Sequence, residues 1–210
     1  MLSLLFESPF TFVIMALVFL ISLTVHEYAH AWQADKLGDP TARLKGRLTL
    51  NPIAHLDPIG TFGMLMFGFG WGKPVPVDTY NLPNPRADHG KISAIGPLTN
   101  FVLASVSSLI LFACIVFNIP LVGFLEFFLL QMIRINVILG FFNLFPIFPL
   151  DGFHIVTALL PKKNVNDWLG LERYGFFILL FVFLPVLGNR SILDMTLQPI
   201  SRFVIELLVP

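Results

Sequence analysis

The chain has 210 residues, 56% of them hydrophobic and 12% charged, with 13 Lys+Arg balanced by 13 Asp+Glu, and a mean hydropathy of +0.81. A soluble domain is about 25% charged, so this chain cannot cover a water-facing surface, and the missing basic excess excludes a nucleic-acid partner. What remains is an all-α integral membrane protein with several spans. The single cysteine, Cys114, lies in an apolar run, which excludes a disulfide framework or a thiolate zinc site.

The first apolar run, 9–25, passes straight into His26, Glu27 and His30. It lacks the basic flank and small-residue cleavage site of a signal peptide, so the expectation is an uncleaved membrane helix over about 9–36. Arg43, Lys45 and Arg47 then form a basic loop. "LTLNP" is strand-like. Residues 53–71 are apolar but rich in glycine, which weakens a single helix. Prolines 74, 76, 83 and 85 predict extended backbone.

A second span is expected over 92–117, then a turn, then an apolar stretch at 121–133. A third span runs from about 135 into "FFNLFPIFPLDGFHIVTALL", where Pro146 and Pro149 must break it. A short fourth span is expected at 176–187. In the tail, 192–209, Asp194, Gln198, Arg202 and Glu206 make one polar helical stripe, suited to an interfacial helix or to a span packed on its polar side. The organisation read from these elements is a single polytopic domain, 1–210. It is a helical bundle with a three-helix catalytic core (about 9–160), a broken helix, a short membrane-associated hairpin or strand segment, and C-terminal helices at about 168–209.

His26-Glu27-Tyr28-Ala29-His30 is an H-E-x-x-H sequence. On a helix both imidazoles share one face and can bind one Zn2+, with the glutamate beside it. Ionisable groups at the end of a membrane span are functional by default. A catalytic zinc needs a third protein ligand, and His55, His89, His154, Asp57 and Asp151 are the candidates in apolar surroundings. Asp151 stands out because broken helices at membrane depth line polar cavities; its alternative is a helix N-cap.

Topology tests this choice. Lys36, Arg43, Lys45, Arg47, Lys73, Arg86, Lys91, Lys162, Lys163 and Arg173 fall on one side if 53–71 does not cross the membrane. The positive-inside rule makes that side cytoplasmic. His26 and Asp151 then lie at similar depth, each about 15 Å from the basic end of its helix. A crossing segment would put them on opposite faces. The metal and the charge bias therefore both ask for a re-entrant hairpin at 53–71, with the site near the cytoplasmic face of the cell membrane.

"HEYAHAW", "GPLTN" and "FNLFPIFPLDG", together with "RLTLNPIAHLDPIGT" and "WGKPVPV", resemble the signatures of the site-2 protease family of intramembrane zinc metalloproteases, and of its small members without PDZ or CBS domains. The resemblance implies His26, His30 and Asp151 as ligands of one Zn2+ per chain and Glu27 as catalytic base. It implies Asn100 and Asn143 as polar site residues, either hydrogen-bonding the substrate or the oxyanion, or joining helices. Expected partners are the lipid bilayer and single-span or signal-peptide-like substrates; the oligomeric state is not legible. "KPVPV" offers an extended edge to which an unwound substrate could add as a strand. The competing readings are a membrane metal-handling or transport protein and a catalytically silent scaffold. The first lacks the paired halves of transporters. The second lacks a damaged motif.

Overall fold

The structure, a computed structural model, describes residues 2–67, 70–187 and 190–210. Three long helices carry it: α2 (Pro9–Lys36), α5 (Pro85–Val116) and α6 (Gly123–Asn143). They are the helices among the described residues long and apolar enough to cross a membrane. Shorter helices are α1 (Leu2–Glu7), α3 (Thr41–Leu44), α4 (Pro58–Phe67), α7 (Asp151–Leu159), α8 (Val165–Leu169), α9 (Gly175–Phe183) and α10 (Ile192–Leu208). Pro9 and Pro85 open α2 and α5 at first-turn positions, where no backbone N–H is needed.

α5 is the centre of the bundle and packs against α2, α6 and α7. At the end away from the basic loops the core is apolar: Ile14 and Val18 of α2 meet Met132 of α6, and Ala104 and Leu111 meet Leu129, Ile133 and Val137. The lipid-facing sides carry Phe10, Val13, Leu17, Val102, Leu109 and Phe112, all exposed, as helices bathed in hydrocarbon should.

The glycine-rich stretch is re-entrant. Leu56 pairs antiparallel with Gly72, and the Lys73 N–H donates to the His55 carbonyl at 2.8 Å. With its two ends joined, the segment carrying α4 cannot cross. A Cβ on Gly60 would strike the Trp71 carbonyl oxygen, so glycine is what lets the two limbs lie together. After the hairpin, residues 73–77 form neither helix nor strand, and Asp78, in an extended conformation, leads into a short turn at Thr79–Asn81.

Three expectations are corrected. "LTLNP" is not a strand: Leu48–Leu50 is a series of bends leading into a 3-10 turn, Pro52–His55, whose first N–H is capped by Asn51. The apolar stretch 121–133 and the start of the third span are one helix, α6, uninterrupted by Arg134. The fourth span is nine residues of α9, about 13 Å long, because Pro185 stops it; a short antiparallel pairing of β1 (Pro185–Leu187) with β2 (Arg190–Ser191) follows. The polar stripe of α10 faces outward, with Arg202 Nε bonded to Glu206 at 2.7 Å, while Leu193 and Leu197 are buried beneath it.

Candidate metal centre

His26, Glu27 and His30 are buried on α2 at the level where α5 and α7 meet it. Asp151 is the first residue of α7, reached through the broken segment 144–150. Leu150 takes the N-cap position, and the Asp151 carboxylate turns to the two histidines. Its Oδ2 lies 3.2 Å from His26 Nε2 and 3.3 Å from His30 Nε2, and the two Nε2 atoms are 3.0 Å apart.

The bonds behind the rings fix where the ring protons sit. His30 Nδ1 is 2.7 Å from the Ile92 carbonyl oxygen, which only accepts, so Nδ1–H donates, and in the neutral ring that a metal ligand must be, Nε2 carries the lone pair. For His26 the direction comes through a chain of amides. Asn136 Nδ2 donates to the Met132 carbonyl and to Ser22 Oγ, both at 2.8 Å. Its Oδ1 is then the acceptor for Asn100 Nδ2 at 2.8 Å. Asn100 Oδ1 in turn accepts from His26 Nδ1 at 2.7 Å. Ser22 Oγ–H donates to the Val18 carbonyl. Ser22, Asn100 and Asn136 are wholly shielded from solvent. A main-chain carbonyl of α6 thus sets the tautomer of a histidine on α2, in the manner of groups that orient metal ligands.

With both rings neutral, three lone pairs converge here, and Asp151 Oδ2 is buried without a hydrogen-bond partner. Unscreened, that arrangement is repulsive. A tetrahedral Zn2+ at its usual bond lengths spaces its ligand atoms about 3.3 Å apart, which the three atoms match. The residues fit a metal, and they are the described residues that cluster as such a site. The centre is also tight: a methyl group at Gly96 of α5 would lie 2.5 Å from His30 Cε1 and 2.6 Å from His26 Cε1. Glu27 Oε2 is buried with no hydrogen-bond partner and faces Arg47 Nη2 at 4.0 Å.

The curated proteins to which the chain is similar carry the same kind of name. A Bacillus subtilis protein, "Putative zinc metalloprotease YwhC", is 38% identical over 180 residues, 83% of this chain and 82% of that protein. The chain belongs to peptidase family M50. The family's profile matches residues 118–182, the stretch that holds Asp151. "Putative zinc metalloprotease Rip2" of Mycobacterium tuberculosis is 30% identical over 85% of this chain and 70% of its own length. "Zinc metalloprotease MJ0392" of Methanocaldococcus jannaschii is 29% identical over 77% of this chain and 38% of its own length. No solved structure matches significantly. M50 is the site-2 type of intramembrane zinc metalloprotease, and a membrane-embedded bundle with an H-E-x-x-H helix is what this member shows.

The other candidate residues take different places. Asp57 Oδ1 caps the first turn of α4 through the Gly60 N–H at 2.8 Å. His55 is fully buried and donates from Nε2 to the Thr49 carbonyl at 2.8 Å. His89 and His154 stack on each other, centroids 4.2 Å apart, toward the basic end. Asn143 ends α6 and donates to the Leu139 carbonyl of its own helix. Trp168 stacks on Phe153 at 5.1 Å, and its Nε1–H donates to the Phe153 carbonyl at 3.2 Å. Asp39 at the end of α2 accepts from Thr41, Asn81 and the Asp78 N–H. Burial would raise its carboxyl, but these bonds outweigh burial and hold it below the ordinary carboxylate range. Gly96, Asn136 and Arg47 are the site residues that sequence reasoning did not single out. "GPLTN" contained the first, and a lone polar residue in an apolar helix was the signal for the second.

Proposed function

We propose that His26, His30 and Asp151 hold one Zn2+ per chain and that Glu27 is the base that hydrolyses peptide bonds in membrane-spanning segments of substrate proteins. The single observation that carries this is the triangle of His26 Nε2, His30 Nε2 and Asp151 Oδ2, with the buried Glu27 carboxylate beside His26 on α2. Bound there, Zn2+ supplies Lewis-acid chemistry, activating water and polarising the scissile carbonyl. Glu27 Oε2 takes the proton released as water attacks and passes it to the leaving amine. Asp151 and the two imidazoles stay ionised and neutral, respectively, as ligands must. Asn100 acts through His26, holding its ring and tautomer: its Oδ1 accepts from His26 Nδ1 and its Nδ2 donates to Asn136. Asn143 remains the candidate for contact with the substrate backbone, since its Oδ1 is not spent within α6.

The catalytic core is about 9–160. The Lys and Arg residues cluster at the end where α2 and α7 finish and α5 begins, which supports a cell-membrane protein with its active site near the cytoplasmic face. Single-span proteins and signal-peptide-like segments are the substrate class, unwound locally and added as a strand to residues 73–77. Co-expression of a single-span reporter with wild type and with Glu27→Gln tests the reading. Cleavage should fall about 100- to 10,000-fold in the variant, while its zinc content stays at the wild-type level. Equal cleavage by both removes Glu27 from the chemistry, and zinc flux without cleavage favours a metal transporter.

A further inference from the structure

"RLTLNPIAHLDPIGT" is the motif that zinc binding does not use, and its first residue is buried beside the base. Arg47 is 5% exposed. Its Nη1 donates to the Pro74 carbonyl at 2.9 Å, and its Nη2 to the Lys73 carbonyl at 2.6 Å. The same Nη2 is 3.4 Å from His55 Nδ1, which is left as an acceptor because His55 Nε2 donates to Thr49, and 4.0 Å from Glu27 Oε2. One guanidinium therefore touches the metal-binding helix, the foot of the re-entrant hairpin and the start of the strap at 73–77. The far end of that strap is pinned separately, by Asp39 accepting from the Asp78 N–H at 2.7 Å and from Asn81 at 2.9 Å. Between the pins Pro74 and Pro76 carry no N–H, so the strap cannot be drawn into a helix, and Arg47 ties its start to the side of Glu27.

We propose that Arg47 is a positioning residue: its fork locks the strap in register with Glu27, and so sets which peptide bond of an added substrate strand meets the base. A strand advances about 3.3 Å per residue, so a slip of one residue presents a different bond. The planar fork is what allows two carbonyls to be held at once while the charge stands 4.0 Å from the Glu27 carboxylate; a lysine ammonium has no such geometry. The proposal rests on the protease reading above.

The test uses the full chain in lipid nanodiscs with a single-span reporter that wild type cuts, comparing wild type, Arg47→Lys and Arg47→Gln. Products are mapped by mass spectrometry, and kcat, KM and zinc content are measured. Both variants should retain wild-type zinc, lose about 100-fold in kcat, and scatter the cut over neighbouring bonds. If neither variant stays folded, Arg47→Gly with added methylguanidinium should restore cutting at the wild-type bond. A single wild-type cut with kcat and KM within twofold, or a loss of cleavage that tracks loss of zinc and is not rescued, overturns the proposal. A wild type that cuts nothing overturns the protease reading as well, and the two failures are thereby told apart.

Discussion

The same three helices build two different interiors. Away from the basic loops, α2, α5 and α6 meet through Ile14, Val18, Met132, Ala104, Leu129, Ile133 and Val137. Toward the loops they meet through Ser22, His26, Asn100 and Asn136. The apolar half is held by packing, where any close fit of similar volume serves. The polar half has a direction: each amide in the relay is oriented by the next, and the last link fixes a ring nitrogen. Most buried polar atoms there are bonded, and those left over around the histidines are Glu27 Oε2, Asp151 Oδ2 and the Nε of Arg47 beside Glu27. Polar groups in hydrocarbon are costly, so the places where bonds are withheld are informative.

Mutations should separate the halves. The largest effect is expected at Gly96. Gly96→Ala pushes on both imidazoles and should weaken zinc binding by about 100-fold or more; competition with a chromogenic chelator reads this directly. Next comes the relay. Asn100→Leu leaves His26 Nδ1 without its acceptor and should weaken zinc about 10- to 100-fold, whereas Asn100→Asp still accepts from that nitrogen and should bind zinc close to wild type. Equal losses in the two variants would mean that Asn100 only glues helices. The smallest effect on the metal is expected in the apolar half. Ile133→Ala should cost about 2–5 kcal/mol of stability, seen as a lower Tm in nanodiscs, with zinc affinity unchanged.

What could be read from the chain in advance follows the same division. His26 and His30 are four residues apart, so their common face, with Glu27 beside it, follows from helical spacing alone. Asp151 was reached because a carboxylate in a proline-broken apolar run demands a cation. The re-entrant hairpin followed from charge bias and metal depth together. The roles of Gly96, Asn136 and Arg47 were not legible, since each is set by what it meets 20 to 114 residues away in sequence. "LTLNP" misled because two leucines at alternate positions look like a strand, while Asn51 and Pro52 behind them nucleate a turn. The supposed fourth span misled because a run's hydropathy does not register that Pro185 ends its helix.

The most direct test is the metal itself. Purified wild-type chain should contain one zinc ion, with X-ray absorption showing nitrogen and oxygen neighbours at about 2.0–2.2 Å, and Asp151→Ala should lose both the zinc and the cleavage. A wild-type protein that holds no metal and cleaves without one, or an Asp151→Ala variant that keeps its zinc with an unchanged coordination shell, would contradict the account.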